Sequence, residues 1–134
     1  MRYFLLAIAL ITLTNCNALK PDRGILSLGG QKWTLTAIAH KPVDGSGKAV
    51  LEFDEKELEV KGKAFCNSIS AEFELMGSDQ ITFQDIVSTK MYCEGLMDEE
   101  QELLSNLREV RRYDIKNGML YLYSTDVLLL TFRK

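Results

Sequence analysis

Histidine is nearly missing from this 134-residue chain: His40 is the only one, beside three cysteines, two prolines and one tryptophan. A zinc site normally takes four nitrogen or sulfur ligands, and no cluster here supplies them, so no metal is expected. One histidine with no accompanying serine or aspartate signature excludes a hydrolytic triad. His40 reads as a strand-end residue. Basic excess is missing too: 16 Lys and Arg stand against 19 Asp and Glu, a net charge of −3. Nucleic acid demands a basic face, so it is excluded as a partner. Arg108, Arg111 and Arg112 form too small a cluster to change that and suit a helix C-terminus. The sequence also lacks an apolar run of the roughly 18 residues that a spanning helix needs. A phosphate loop is absent as well. Asp44-Gly45-Ser46-Gly47-Lys48 holds a Gly-x-Gly without the strand-to-helix context, and reads as a hairpin connection.

What the chain does have begins at its N-terminus. Arg2 is followed by an apolar stretch from Tyr3 to Leu13, which then reaches Cys16. This has the length and flanks of a secretory signal. Leu13-Thr14-Asn15-Cys16 is similar to a bacterial lipobox, in which the cysteine is acylated and the chain is cut before it. Asn15 replaces the small residue common at that place, and ordinary signal cleavage nearby is the alternative. Residues 1–15 are therefore expected to be a signal peptide and Cys16 a lipidation site, with the membrane reached through the lipid. Acyl chains contribute about 0.8 kcal/mol per buried methylene, and two or more anchor stably. Asn17 lacks the aspartate that retains such proteins at the inner membrane in enteric bacteria, so the outer membrane is the expected address.

Acylation of Cys16 leaves Cys66 and Cys93 as a pair in an oxidising compartment. A disulfide between them is expected, ahead of two unbridged thiols or a reactive site. Closing a loop of that length stabilises by roughly 3–4 kcal/mol.

Residues 16–30, with Pro21, Gly24, Gly29 and Gly30, read as a tether in which Ile25, Leu26 and Leu28 are candidates for docking. The folded part is expected from about Gln31 to Lys134. Period-two patterns dominate it. Trp33–Ala39, Val50–Asp54, Leu58 with Val60, Ala71–Leu75, and Ile81 with Phe83 read as strands, with Leu51, Phe53, Leu58, Val60, Phe73 and Leu75 inward. Leu96, Met97, Leu103, Leu104, Leu107 and Val110 recur at helical spacing, which predicts one amphipathic helix over 98–112. Asp98 with Gln101 suggests its capping box. Tyr113–Lys116, Asn117-Gly118 and Met119–Tyr123 make the clearest hairpin signal, and Val127–Arg133 runs back. Leu120, Leu122, Leu128, Leu130 and Phe132 belong to one face; Tyr121, Tyr123 and Leu129 to the other. Strands apolar on both faces need a cover, and the helix is the candidate.

Two segments stand out, Gly62-Lys63-Ala64-Phe65-Cys66-Asn67 and Ser88-Thr89-Lys90-Met91-Tyr92-Cys93. Together with Trp33-x-Leu35, Met97 and Glu100, Leu107, and Leu130-x-Phe132, their order resembles the META domain (HslJ-like) family over about residues 31–134. Phe65 departs from the family's glycine before the cysteine, a place where glycine permits positive φ. The resemblance implies a mainly β (α+β) fold: a curved antiparallel sheet or partial barrel of about eight strands with one packed helix. It also implies kinship with bacterial envelope lipoproteins, some of them linked to heat shock, antibiotic tolerance, secretion or motility. No enzymatic activity is established for that family, and its fold resembles a lipid-binding pilotin.

Trp33, Asn67, Thr89 and Glu100 are the structural motif residues to follow. Asn67 and Thr89 are expected to be turn formers bonded to nearby backbone. Glu100 shares a helix face with Met97, Leu103, Leu104 and Leu107. It points partly inward, where it must find donors; the Ser88–Cys93 loop is the expected source. No residue is assigned to catalysis and no cofactor is expected. The expected role is a non-enzymatic, lipid-anchored envelope protein that binds or supports an envelope protein partner. The alternative is a small carrier of an apolar ligand between sheet and helix.

Overall fold

The computed structural model describes residues 27–44 and 47–134. The expected signal peptide, Cys16 and the tether up to residue 26 lie outside the described residues, as do Gly45 and Ser46. Strands β1 (Lys32–Ile38), β2 (Lys41–Pro42), β3 (Ala49–Asp54), β4 (Glu59–Ala64), β5 (Asn67–Met76) and β6 (Gln80–Ser88) precede helix α1 (Met97–Glu109). Strands β7 (Arg112–Lys116), β8 (Met119–Tyr123) and β9 (Leu128–Arg133) follow it. All pair antiparallel in the order β2-β1-β3-β4-β5-β6-β7-β8-β9. β1 also pairs with β9, so the sheet curls into a near-ring with β2 outside the circuit.

The alternation in the sequence lines the interior of this ring. Leu51 and Phe53 of β3, Ile69, Ala71 and Phe73 of β5, and Leu120 and Leu122 of β8 are buried, while their neighbours along each strand are more open. Phe53 meets Phe73 edge-on at 5.3 Å between ring centroids, an arrangement that aromatic quadrupoles favour. The weak seam lies between β6 and β7, which pair only at Gln80 and Arg112. Helix α1 joins these two strands and packs on β6, β9 and β4, burying Leu103, Leu104 and Leu107. One amphipathic stripe thus spans three strands that are not neighbours in the sheet.

Several local expectations are corrected. Leu58 is a turn residue at φ 55° and is exposed, not inward. Leu75 is exposed because β5 outruns β4: their last pair is Glu59 with Glu72, so the end of β5 keeps only β6 as a neighbour. A register shift beside Leu122 sets Leu128 opposite Tyr123, so Leu128 is half-buried and leaves the inner face. Tyr121, Tyr123 and Leu129 are half-buried on the outer side, alternating with fully buried Leu120, Leu122 and Leu130. They are not core beneath the helix. The Arg112 guanidinium lies 4.3 Å from the centre of the Tyr123 ring instead. The helix starts one residue before Asp98, with Leu96 at its N-cap and no side-chain cap bond. Its start is set by the preceding turn, where the Leu96 amide donates to the Cys93 carbonyl at 3.2 Å.

The end of the expected tether is docked. Leu28 is buried, its carbonyl accepts a hydrogen bond from Trp33 Nε1 at 2.8 Å, and its amide donates to Glu55 at 2.9 Å. Gly29 forms a bridge with Phe53. Asn117 and Gly118, at φ 53° and 73°, make the two-residue β7–β8 turn that their sequence demands. No helix among the described residues is long and apolar enough to cross a membrane.

Candidate functional site

β4 and β5 are joined by a two-residue turn, Phe65-Cys66, across the pair Ala64 and Asn67. Phe65 adopts φ 59°. The left-handed turn that glycine would have made easy is therefore present with phenylalanine, whose ring is buried in the core. Its strain, of order 1–2 kcal/mol for a residue with a Cβ, is set against burial of a large apolar side chain, worth about 1.5–3 kcal/mol.

This turn aims two backbone amides at one acceptor. Cys66 N–H and Asn67 N–H donate to Glu100 Oε2 at 3.0 and 2.8 Å. Asn67 Nδ2 donates to Glu100 Oε1 at 2.5 Å. The carboxylate is buried, at 4 % relative exposure, in the first turn of α1. Hydrogen bonds to a charged group contribute about 1.5–3 kcal/mol each, and a buried carboxylate without them would not be tolerated.

Asn67 carries the contact onward. Its second amide hydrogen goes to the Met91 carbonyl at 3.0 Å. Its Oδ1 accepts from Met91 N–H and from Thr89 Oγ1, both at 2.7 Å. Thr89 Oγ1 in turn accepts from Ser68 N–H at 3.1 Å. All four hydrogen-bonding positions of the Asn67 side chain are thereby occupied. A disulfide joins Cys66 to Cys93, with 5.8 Å between the Cα atoms.

The expected residues Cys66, Cys93, Asn67, Thr89 and Glu100 thus come together at one end of the ring, but with different partners. Glu100 was expected to bond the Ser88–Cys93 loop. It bonds the Cys66–Asn67 turn, and the loop is reached only through Asn67. Asn67 and Thr89 are not local turn formers, since their partners lie 21 to 33 positions away. Trp33 is elsewhere, buried beside Leu28. His40 is exposed in the turn between β1 and β2. Met91 escaped the sequence because it takes part through its backbone, which leaves no residue-type signal. Gly62 had a signal, a lone glycine within a strand, which marks close backbone approach. A Cβ placed there would lie 1.9 Å from the Val50 carbonyl oxygen.

Chemically, the arrangement joins turn, loop and helix through hydrogen bonds and one disulfide. Both Glu100 oxygens are engaged, both sulfurs are in the disulfide, and no cluster of potential metal ligands occurs among the described residues. An open groove of about 480 Å³ lies beside the site on β4–β6, lined by Gly62, Ser68, Ser70, Val87, Ser88 and Thr89 among others.

The family model of the META domain matches residues 26–134. A protein from Burkholderia xenovorans solved by NMR is similar in structure. The TM-score is 0.65 at 19 % identity, covering 82 % of this chain and 85 % of the other. A second protein solved by NMR gives 0.61 at 24 % identity, covering 79 % and 90 %. The crystal structure of a DUF4847 family protein from Bacteroides vulgatus gives 0.55 at 16 % identity, covering 82 % and 94 %. At these identities the likeness is one of fold. No curated protein matches the chain in sequence.

Proposed function

This chain belongs to the META domain family, and on that premise we propose that it is a non-enzymatic envelope protein. In this reading it is anchored through acylated Cys16, in the outer membrane, and binds or supports another envelope component. The observation that carries the reading is the saturation of the Glu100–Asn67 cluster: its polar atoms hold turn, loop and helix together and leave none free for substrate. The basic-apolar-cysteine order of residues 1–16 supports the anchor. A carrier would need an apolar cavity between sheet and helix. The helix residues Leu103, Leu104 and Leu107 and the inner-face residues Trp33, Phe73, Leu130 and Phe132 are instead packed and buried together, which favours the scaffold.

Native mass spectrometry of the protein extracted gently from its own envelope tests this. An acylated chain travelling with another polypeptide is the expected result. An unacylated chain recovered from the soluble fraction would overturn the anchor. A noncovalent lipid-sized mass would move the function to the carrier.

A further inference from the structure

Besides the Cys93 N–H bond to Met97 Sδ at 3.4 Å, the segment from Thr89 to Leu96 has two fastenings to the rest of the sheet. One is the set of hydrogen bonds from Asn67 to Met91 and Thr89, with Thr89 N–H also donating to the Ser68 carbonyl at 3.1 Å. The other is the disulfide at Cys93, two residues further on. The two sulfur-bearing residues differ in access. Cys66 is 3 % exposed, beneath the turn whose amide serves Glu100. Cys93 is half-buried and flanked by exposed Tyr92, Glu94 and Gly95. Met91 and Tyr92, 57 % and 79 % exposed, are large apolar side chains carried on this same segment.

We propose that the Cys66–Cys93 disulfide is a thiol-operated latch, attacked at Cys93 and released at Cys66, which frees residues 92–96 without opening the barrel. The attacking species is an external thiolate, from a small thiol or a protein dithiol. Thiol–disulfide exchange proceeds by attack on the reachable sulfur with the other sulfur as leaving group. The thiolate forms a bond to Cys93 Sγ, the Sγ–Sγ bond breaks, and its electron pair leaves on Cys66 as thiolate, which takes a proton. A dithiol completes reduction with its second sulfur, becoming a disulfide and releasing Cys93 as a thiol. The two electrons come from that dithiol. What remains is the Asn67 fastening, so Thr89 and Met91 stay in place. The Leu96 amide, which relies on the Cys93 carbonyl, loses its fixed partner. The released stretch carries Tyr92 and adjoins the start of α1. The chemistry goes beyond the envelope reading and stands without it.

The test uses the full oxidised chain in native buffer, exposed briefly to reduced glutathione, quenched with acid and mapped by peptide mass. The glutathione adduct is expected on Cys93 in at least tenfold excess over Cys66. Equal adducts, or none until denaturant unfolds the chain, would overturn the latch. Hydrogen exchange after full reduction by dithiothreitol supplies the second readout. The Leu96 amide is expected to exchange at least tenfold faster, while the Cys66, Asn67 and Met91 amides keep their protection. Loss of protection at all four together would mean that the disulfide is only a structural brace. Cys66→Ser and Cys93→Ser repeat the comparison with oxidised glutathione: the free Cys93 is expected to react and the free Cys66 to resist, and the reverse order also overturns the proposal.

Discussion

Asn67 engages both oxygens of Glu100, its backbone N–H reaching Oε2 at 2.8 Å and its side-chain Nδ2 reaching Oε1 at 2.5 Å. One residue at the start of β5 therefore fixes the orientation of a carboxylate on α1, and through its Oδ1 the position of Met91 as well. Turn, loop and helix are held at one point.

Replacing Glu100 separates charge from shape. In Glu100→Gln one oxygen remains to accept from the Cys66 and Asn67 amides, but the new NH2 group meets Asn67 Nδ2 donor to donor. The expected loss is about 1–3 kcal/mol. Glu100→Leu strands both buried amides and is expected to cost about 3–5 kcal/mol. Urea unfolding of the two variants measures both, and equal small losses would mean that the cluster contributes little.

Asn67→Ala removes four hydrogen bonds at once and leaves the Met91 groups and one Glu100 oxygen short of partners. A destabilisation of about 2–4 kcal/mol is expected. Thr89→Ala removes fewer and is expected to cost about 1 kcal/mol. Thermal melts of both show whether the order holds.

Gly62 and Gly77 predict opposite kinds of alanine effect. At Gly62 an added Cβ meets backbone, Val50 O at 1.9 Å, so β3 and β4 must move apart. A cost of about 3 kcal/mol or failure to fold is expected. At Gly77, φ 62° with nothing within 4 Å, only the backbone conformation is strained, and about 1 kcal/mol is expected. A Gly62→Ala chain as stable as the natural one would show that the strands yield more easily than a packed sheet should.

Asp54 contributes a pH dependence on the acid side. Its Oδ1 accepts hydrogen bonds from the amides of Glu57 and Lys56, at 3.1 and 2.9 Å. These bonds, that from Glu57 first, hold its carboxyl below the ordinary carboxylate range. A depressed folded pKa means that the contribution is whole above the unfolded value and is lost as pH falls through the folded one. Asp54→Asn is expected to flatten the dependence of stability on pH below about pH 4 and to leave the slope near neutrality unchanged. Denaturant midpoints across that range provide the check.

Legibility in the sequence follows the range of the interaction. The Asn117-Gly118 turn, the helix stripe of Leu103, Leu104 and Leu107, and the alternation of Leu51 with Phe53 are set by neighbours within a few residues. The periods of helix and strand expose them. The same periods say that a strand has an inner face but not where a register shift or the end of a neighbouring strand interrupts it, so Leu128 leaves the inner face and Leu75 is exposed.

The sequence by itself determined the alternation of β1, β3, β5 and β7 to β9, the stripe of helix α1, the partly inward position of Glu100 and the candidate pairing of Cys66 with Cys93. Only the tertiary structure decided that β1 meets β9, that α1 packs on β4, β6 and β9, and that Glu100 is satisfied by a turn 33 and 34 positions earlier. The reason is physical: a side chain's need for burial or for a donor is a local property of its chemistry. Which distant backbone group meets that need depends on how twist, register and a left-handed residue such as Phe65 accumulate around the ring.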